Sequence, residues 1–282
     1  AERAALAILN ARLLRQIQRE LTLRTHADRI LKQYAQQLSR SNRELQDFAS
    51  IASHDLQEPL RKVRAFGDRL KERYAPALGD DGRDYLERMQ NAAERMQSML
   101  DALLAYSRVT TKMQPPAPVN LAEIAREVLL DLEIRVEDTQ GQVILGSLPT
   151  LDADPLQMRQ LFQNLIGNAL KFHRPDQPPV VRVDAQVETN GDGAEQVRLT
   201  FADNGIGFDE RYLERIFQPF YRLHGRAEYE GTGMGLAICR KIVERHNGSI
   251  TAASQIDGGT IFTILLPRHP QPEGSIQPPT LA

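Results

Sequence analysis

The 282 residues carry 35 basic and 37 acidic side chains, a net charge of -2, with 41% hydrophobic and 26% charged content. That balance describes a globular chain of about one to three domains and excludes the basic field of a nucleic-acid binder. The single cysteine, Cys239, excludes an internal disulfide and a multi-cysteine zinc site.

No run reaches the length of a membrane-spanning helix, and no signal peptide is visible. The opening residues 4–9 are short and apolar, and Arg12 and Arg15 follow them. Two readings stay open here. The stretch is the cytoplasmic end of a spanning helix in a membrane-anchored parent, or the first turns of a coiled coil. A chain cut from a longer parent is the favoured expectation, with these residues in the cytoplasm.

From residue 6 to residue 74 the only proline is Pro59 and the only glycine is Gly67. Positions three or four residues apart form a mostly apolar seam: Leu14, Ile17, Leu21, Arg24, Asp28, Leu31, Ala35, Leu38, Asn42, Leu45, Ala49, Ala52 and Leu56, continuing through Pro59, Val63, Phe66 and Leu70. A seam of that period predicts one long helix that needs a partner helix. Arg24, Asp28 and Asn42 interrupt the seam, and polar seam residues can fix register and oligomer number. His54 lies two residues past Ala52, on the outward face. Pro59 removes a backbone donor and is expected to kink or loosen the helix just beyond it.

Residues 75–82 read as a turn, with Asp80 or Asp81 as the cap of the next helix. Tyr85, Met89, Ala92, Met96, Met99, Leu103 and Tyr106 then continue the helical spacing, with Leu86, Ala93, Leu100 and Leu104 beside them. A stripe that wide suits a bundle, and two such hairpins make a four-helix bundle. The proline-rich residues 112–118 break the pattern. The expected domains are a coiled-coil helix (1–45), a hairpin (46–112), a linker (113–119), a mixed α and β domain (120–268) and a proline-rich disordered tail (269–282).

Beyond Asn120, helical stretches (121–132, 155–170, 236–246) alternate with β-rich runs (143–145, 180–187, 197–202, 249–253, 260–266). The fold class is therefore multidomain, all-α followed by α+β, with a layered sheet carrying helices on one face. Three stretches carry chemistry. In Gln163-Asn164-Leu165-Ile166-Gly167-Asn168-Ala169-Leu170-Lys171, both asparagines and Lys171 share one helix face. Carboxamide oxygens can ligate Mg²⁺ and a lysine can meet a phosphate, against the plainer reading of a polar helix face. Asp203-Asn204-Gly205-Ile206-Gly207 follows a strand, where a carboxylate can accept the exocyclic amine of adenine and glycines admit a ligand closely. An ordinary turn is the competing reading. Gly231-Thr232-Gly233-Met234-Gly235-Leu236 leads into a helix N-terminus, a favourable phosphate cradle that is neither a P-loop nor a dinucleotide fingerprint.

In this order and spacing the motifs resemble those of the sensor histidine kinases of two-component signalling, from about residue 46 to residue 267. Ser53-His54-Asp55-Leu56 with Pro59 resembles the phosphoacceptor box, and residues 164–171 the N box. Residues 203–207, 231–235 and 258–260 resemble the glycine boxes, and Phe217-Gln218-Pro219-Phe220 the F box. Asp55-Leu56-Gln57-Glu58-Pro59, Arg222-Leu223-His224 and Glu228-Tyr229 are most similar to the phytochrome-like subgroup.

The resemblance implies a homodimeric histidine phosphotransfer hairpin followed by an ATP-binding α/β sandwich of the GHKL type. It implies that His54 receives the γ-phosphoryl group of ATP, with Asp55 beside it. Asn168 would bind Mg²⁺, Asn164 and Lys171 would lie near the phosphates, and Asp203 would read adenine. Gly205, Gly207, Gly231, Gly233, Gly235 and Thr260 would surround the nucleotide. A mobile lid would span residues 208–233, its cations Arg222, His224 and Arg226 able to meet the triphosphate. The phosphoryl group would pass to an aspartate of a separate response regulator. Many relatives carry Thr or Asn four residues after the histidine; Glu58 stands there, and weak phosphatase activity toward the regulator is expected. Two rival functions are a GHKL ATPase of the chaperone or topoisomerase kind and a dimeric scaffold without catalysis.

Overall fold

The computed structural model describes residues 2–74, 77–111, 115–191, 193–223, 225, 228–229 and 231–269; within α1 it leaves out the side chains of 2–11, 13, 35, 38–39 and 42–54. The chain divides into two compact units, Ala1–Ala52 and Ser53–Ala282. The single-helix prediction for the first 74 residues holds as α1 (Glu2–Tyr74). In the first unit the seam residues Leu14, Ile17, Leu21 and Leu31 are all exposed. Among the described residues, no helix is long and apolar enough to cross a membrane.

In the second unit α1 meets α2 (Gly79–Thr111) as an antiparallel hairpin. Gln57 Nε2 donates to Asp101 Oδ1 at 2.8 Å, and Gln90 Nε2 to Asp68 Oδ1 at 2.6 Å. Gly67 is buried because Gln90 lies across it, 3.0 Å from where a Cβ would stand. Pro59 does not break α1. Lacking an N–H, it withholds only the bond that would reach the Asp55 carbonyl. Asp80 and Asp81 are not caps: α2 already begins at Gly79 (φ 64°), which places both acids in the first turn, where they favour the helix dipole instead. Ala75, Pro76 and residues 112–114 lie outside the described residues.

The end of the expected linker is a strand. β1 (Ala117–Asn120) pairs antiparallel with β3 (Thr150–Ala153). Asn120 also caps α3 (Leu121–Asp131), its side chain accepting from Ala122 N and Glu123 N. The short α4 (Glu133–Asp138) comes next. β2 (Gln142–Leu145), β4 (Val180–Thr189), β5 (Glu195–Asp203), β6 (Ser249–Gln255) and β7 (Gly259–Pro267) form a five-stranded sheet in the order β2-β4-β5-β7-β6. Only β2 and β4 are parallel, and α5 (Pro155–Lys171) lies in the crossover between them. Such a pair requires a crossover connection.

Alternation sets the layers. Val181, Val183 and Ala185 of β4, Val197, Leu199 and Phe201 of β5, and Phe262, Ile264 and Leu266 of β7 all point into one core. Opposite them lie Leu161, Phe162 and Leu165 of α5 and Ile238, Ile242 and Val243 of α6 (Gly235–Arg245). Helices cover one face only, as the sequence predicts. The last turns of α2 join this core through Val109, with Ala102, Ala105 and Tyr106 packed against it. Arg245 Nη1 of α6 also donates to the Val109 carbonyl.

Candidate functional site

Asp203 ends β5 directly opposite Thr260 of β7. Its Oδ1 accepts from Gly205 N at 2.9 Å and from Thr260 N at 3.1 Å. Burial pushes this carboxyl above its ordinary range, and the two amides pull it partly back. Ile206 N donates to the Phe172 carbonyl at 3.0 Å, which ties the loop to the end of α5. Gly207 sits at φ 59°, and a Cβ there would stand 1.8 Å from the Gln255 carbonyl oxygen. No other residue fits that approach. Ser254 secures the same corner: its hydroxyl accepts from Phe208 N at 2.9 Å, donates to Gly259 O at 3.0 Å and meets Thr260 Oγ1 at 2.9 Å.

The α5 helix starts from Asp154, whose side chain accepts from Leu156 N and Gln157 N, with Pro155 in the first turn. It carries Asn164, Asn168 and Lys171 toward the N-terminus of α6. A Cβ on Gly235 would lie 3.7 Å from Asn164 Oδ1 and 3.8 Å from Asn168 Nδ2. Asn164 Nδ2 donates to the Gly235 carbonyl at 3.4 Å and also bonds the Cys239 thiol. Burial pushes that thiol up to about 12. Lys171 Nζ lies 4.3 Å from the Phe172 ring centroid and 3.0 Å from the Cβ position of Gly231. No side chain caps α6 at Met234, so its first amides point at the loop before it.

These parts close around a cavity of about 790 Å³. Asn168, Lys171, Asp203, Gly207, Arg222, Gly231, Gly233, Gly235 and Thr260 line it, so nine of the expected site residues converge. Asn164 and Gly205 stand just behind the wall, on Gly235 and on Asp203 respectively. Arg222 also braces the loop. Its guanidinium holds the loop's own backbone, donating to Tyr229 O at 2.5 Å, to Gly225 O at 3.4 Å and to Gly231 O. Carbonyls crowded in that turn are the nearest acceptors. The other lid cations, His224 and Arg226, lie outside the described residues. On the hairpin, α1 includes His54, but its side chain is also outside the description; Asp55 is exposed. Glu58 is exposed and ion-paired with Lys62 at 2.7 Å.

Several side chains take places at the site that the sequence pattern does not announce. Tyr229 packs on Phe172 with ring centroids 4.9 Å apart and lines the cavity. Burial, aided by Glu228, raises its hydroxyl above the ordinary range. His246 joins α6 to α5 by accepting from Asp154 N at 3.1 Å. Arg95 and Arg135 also line the cavity.

Two family models match this chain. Residues 44–112 fit the His Kinase A (phospho-acceptor) domain, and residues 153–270 fit the histidine kinase-, DNA gyrase B-, and HSP90-like ATPase. The first of these lies over the hairpin and His54, which neither rival function explains. The chain belongs to the histidine kinases. Within them it is phytochrome-like. It is 40% identical over 238 residues to the phytochrome-like protein Cph1 of Synechocystis, covering 84% of this chain and 31% of that protein. Cyanobacterial phytochrome A of Nostoc is also 40% identical, over 241 residues, covering 84% of this chain and 30% of that protein. The kinase chain thus spans about three tenths of these curated relatives. Full-length ShkA, solved in complex with AMPPNP, shares the fold with a TM-score of 0.59 at 24% identity, over 78% of this chain and 45% of that one.

Proposed function

We propose that this histidine kinase core binds ATP in the cavity, phosphorylates His54, and passes the phosphoryl group to an aspartate of a response regulator. The observation that carries the reading is the convergence of Asp203, Asn168, Lys171 and the loop of residues 231–235 on one cavity, in a chain whose hairpin matches a phosphoacceptor domain. Asp203, with Oδ1 occupied by two amides, has Oδ2 left to accept the adenine amine. Phe172 and Tyr229 offer aromatic faces to the base. Lys171 and the uncapped start of α6 receive the phosphates.

Among the described residues no cluster of three His, Cys, Asp or Glu side chains could hold a metal. That fits Mg²⁺, which takes few protein ligands and completes its shell with phosphate oxygens and water. Asn168 would hold it, and its charge would offset that of the phosphates. The transfer itself joins a His54 ring nitrogen to the γ-phosphorus as the bond to the ADP oxygen breaks. Asp55, next along α1, accepts from the other ring nitrogen, holding the tautomer and stabilising the imidazolium that forms before its proton is lost.

Two hairpins would pair through Leu56, Val63, Phe66 and Leu70 of α1 and Met89 and Met96 of α2, all exposed in the single chain. In this reading the hairpin spans 46–112 and the catalytic domain runs from about 120 to 268. Incubation with γ-labelled ATP and Mg²⁺ tests the function. Acid-labile, alkali-stable label on the wild type and none on His54→Gln is expected; free phosphate without labelled protein would sink the proposal. Glu58, a carboxylate facing an acyl phosphate, would repel it, so regulator dephosphorylation is slow. Rapid dephosphorylation that Glu58→Gln abolishes would contradict that.

A further inference from the structure

The cavity has a wall that belongs to the hairpin. Asn91, Glu94, Arg95, Ser98 and Met99 of α2 all line it. Their spacing of three and four residues makes them one continuous stripe of the helix. The packing of α2 on α6 explains why that stripe arrives there. Val109 near the end of α2 meets Arg245 at the end of α6. Running back ten residues along α2 covers about 15 Å, close to the full length of α6. Arg95, Ser98 and Met99 line the cavity together with Gly233 and Gly235 of the glycine loop.

A second cation reaches the same place from the other side. Arg135 of α4 has Nη1 3.8 Å from the Cβ position of Gly167, the residue before Asn168. Both guanidiniums line the cavity, and neither has a hydrogen-bond or ion-pair partner among the described residues. Glu94 shares the α2 stripe, so that wall is mixed in charge with Arg95 as its cation, while Arg135 joins Lys171 and Arg222 on the rest of the lining. Planar guanidiniums suit bidentate contact with phosphate oxygens.

We propose that Arg95 of the hairpin and Arg135 of α4 are additional ligands of the nucleotide's phosphate tail, so that a bound triphosphate ties α2 to the ATP-binding domain. The site thus includes a residue from the phosphoacceptor domain. This inference rests on the nucleotide reading of the cavity. Its consequence is that nucleotide occupancy and hairpin position are linked: loss of the triphosphate weakens the hold on α2, and displacement of α2 weakens triphosphate binding by the same factor.

The test uses the full chain. Affinity for a non-hydrolysable ATP analogue with Mg²⁺, and for adenosine, is measured by calorimetry for wild type, Arg95→Ala, Arg135→Ala and Arg95→Lys. Each alanine variant is expected to bind the analogue about threefold to tenfold more weakly, with adenosine affinity and thermal midpoint unchanged. Arg95→Lys is expected to recover part of the loss. Analogue affinity equal to wild type in both alanine variants overturns the proposal. So does an equal loss for analogue and adenosine, which marks a merely structural role. A wild type that binds no analogue overturns the nucleotide reading itself, an outcome distinct from either of these.

Discussion

Replacing His246 by phenylalanine separates the hydrogen bonds of this buried ring from its bulk. His246 is 6% exposed at the end of α6. Its Nε2 accepts from Asp154 N at 3.1 Å, so Nδ1, 2.8 Å from the Ile242 carbonyl, carries the proton and donates it. One neutral tautomer satisfies both contacts; protonation would set a new N–H against the Asp154 amide. Burial is the main cause that holds the pKa below 6.5, helped by Arg245 and opposed by the Ile242 carbonyl and Asp154. The unfolded chain then binds this proton near pH 6.5 while the folded chain does not. Stability therefore falls as pH drops from about 6.5 toward the folded pKa, by up to about 1.4 kcal/mol per pH unit. His246→Phe keeps an aromatic ring but leaves the Asp154 amide without its acceptor, at a cost of about 1–3 kcal/mol at pH 8. It also removes this contribution to the acid dependence. Urea unfolding from pH 8 to pH 5 measures both effects, and the other histidines cancel in the difference. A variant as stable as wild type at pH 8, or one with a parallel acid limb, would refute the reasoning.

Three further substitutions or labels probe the site. In Asp203→Asn the carbonyl oxygen still serves Gly205 N and Thr260 N, but an amide donor replaces the second acceptor. A carboxyl pKa raised by burial means the folded state loses stability as pH rises through the window between 3.8 and the folded value. Thermal unfolding at pH 7.5 should show this variant at least as stable as wild type, with ATP-analogue affinity down at least about tenfold; retained affinity would refute the assignment. Gly207→Ala forces a Cβ to 1.8 Å from the Gln255 oxygen at φ 59° and should cost about 2–5 kcal/mol in chemical denaturation. A loss below about 1 kcal/mol would show that the loop gives way easily. Cys239, buried with its pKa pushed up to about 12, should resist thiol reagents at pH 8 until the chain unfolds. Fast labelling of native protein would mean that α6 opens locally.

Regular spacing was what made the helices legible. Three- and four-residue periods predict α1, α2, α3, α5 and α6, because each presents one apolar face to a core or partner. Long strands such as β4 and β5 also declare themselves by alternation. β1 does not, because Pro118 reads as linker; it is tolerated in a two-stranded sheet whose strands are both edges. α4 is too short to show a period. At the site, glycines and asparagines are legible because few other residues could stand there. Arg95, Arg135 and Ser254 were not, since their significance comes from elements distant in the chain. His246 reads only as the end of a helix, because its partner Asp154 lies 92 residues away in the chain.

Asp203 and Thr260 face each other across adjacent strands, yet residues 204–234, α6 and β6 all lie between them in the chain. The Thr260 amide on Asp203 closes that excursion at its root. An insertion beside exposed Gly225 would therefore leave every strand register unchanged, and each doubling of loop length costs only about 0.6 kcal/mol. The length of the segment between β5 and α6 is thus free to vary while the Asp203–Thr260 corner stays fixed. The same turn is a graft point for a fluorescent reporter of nucleotide binding.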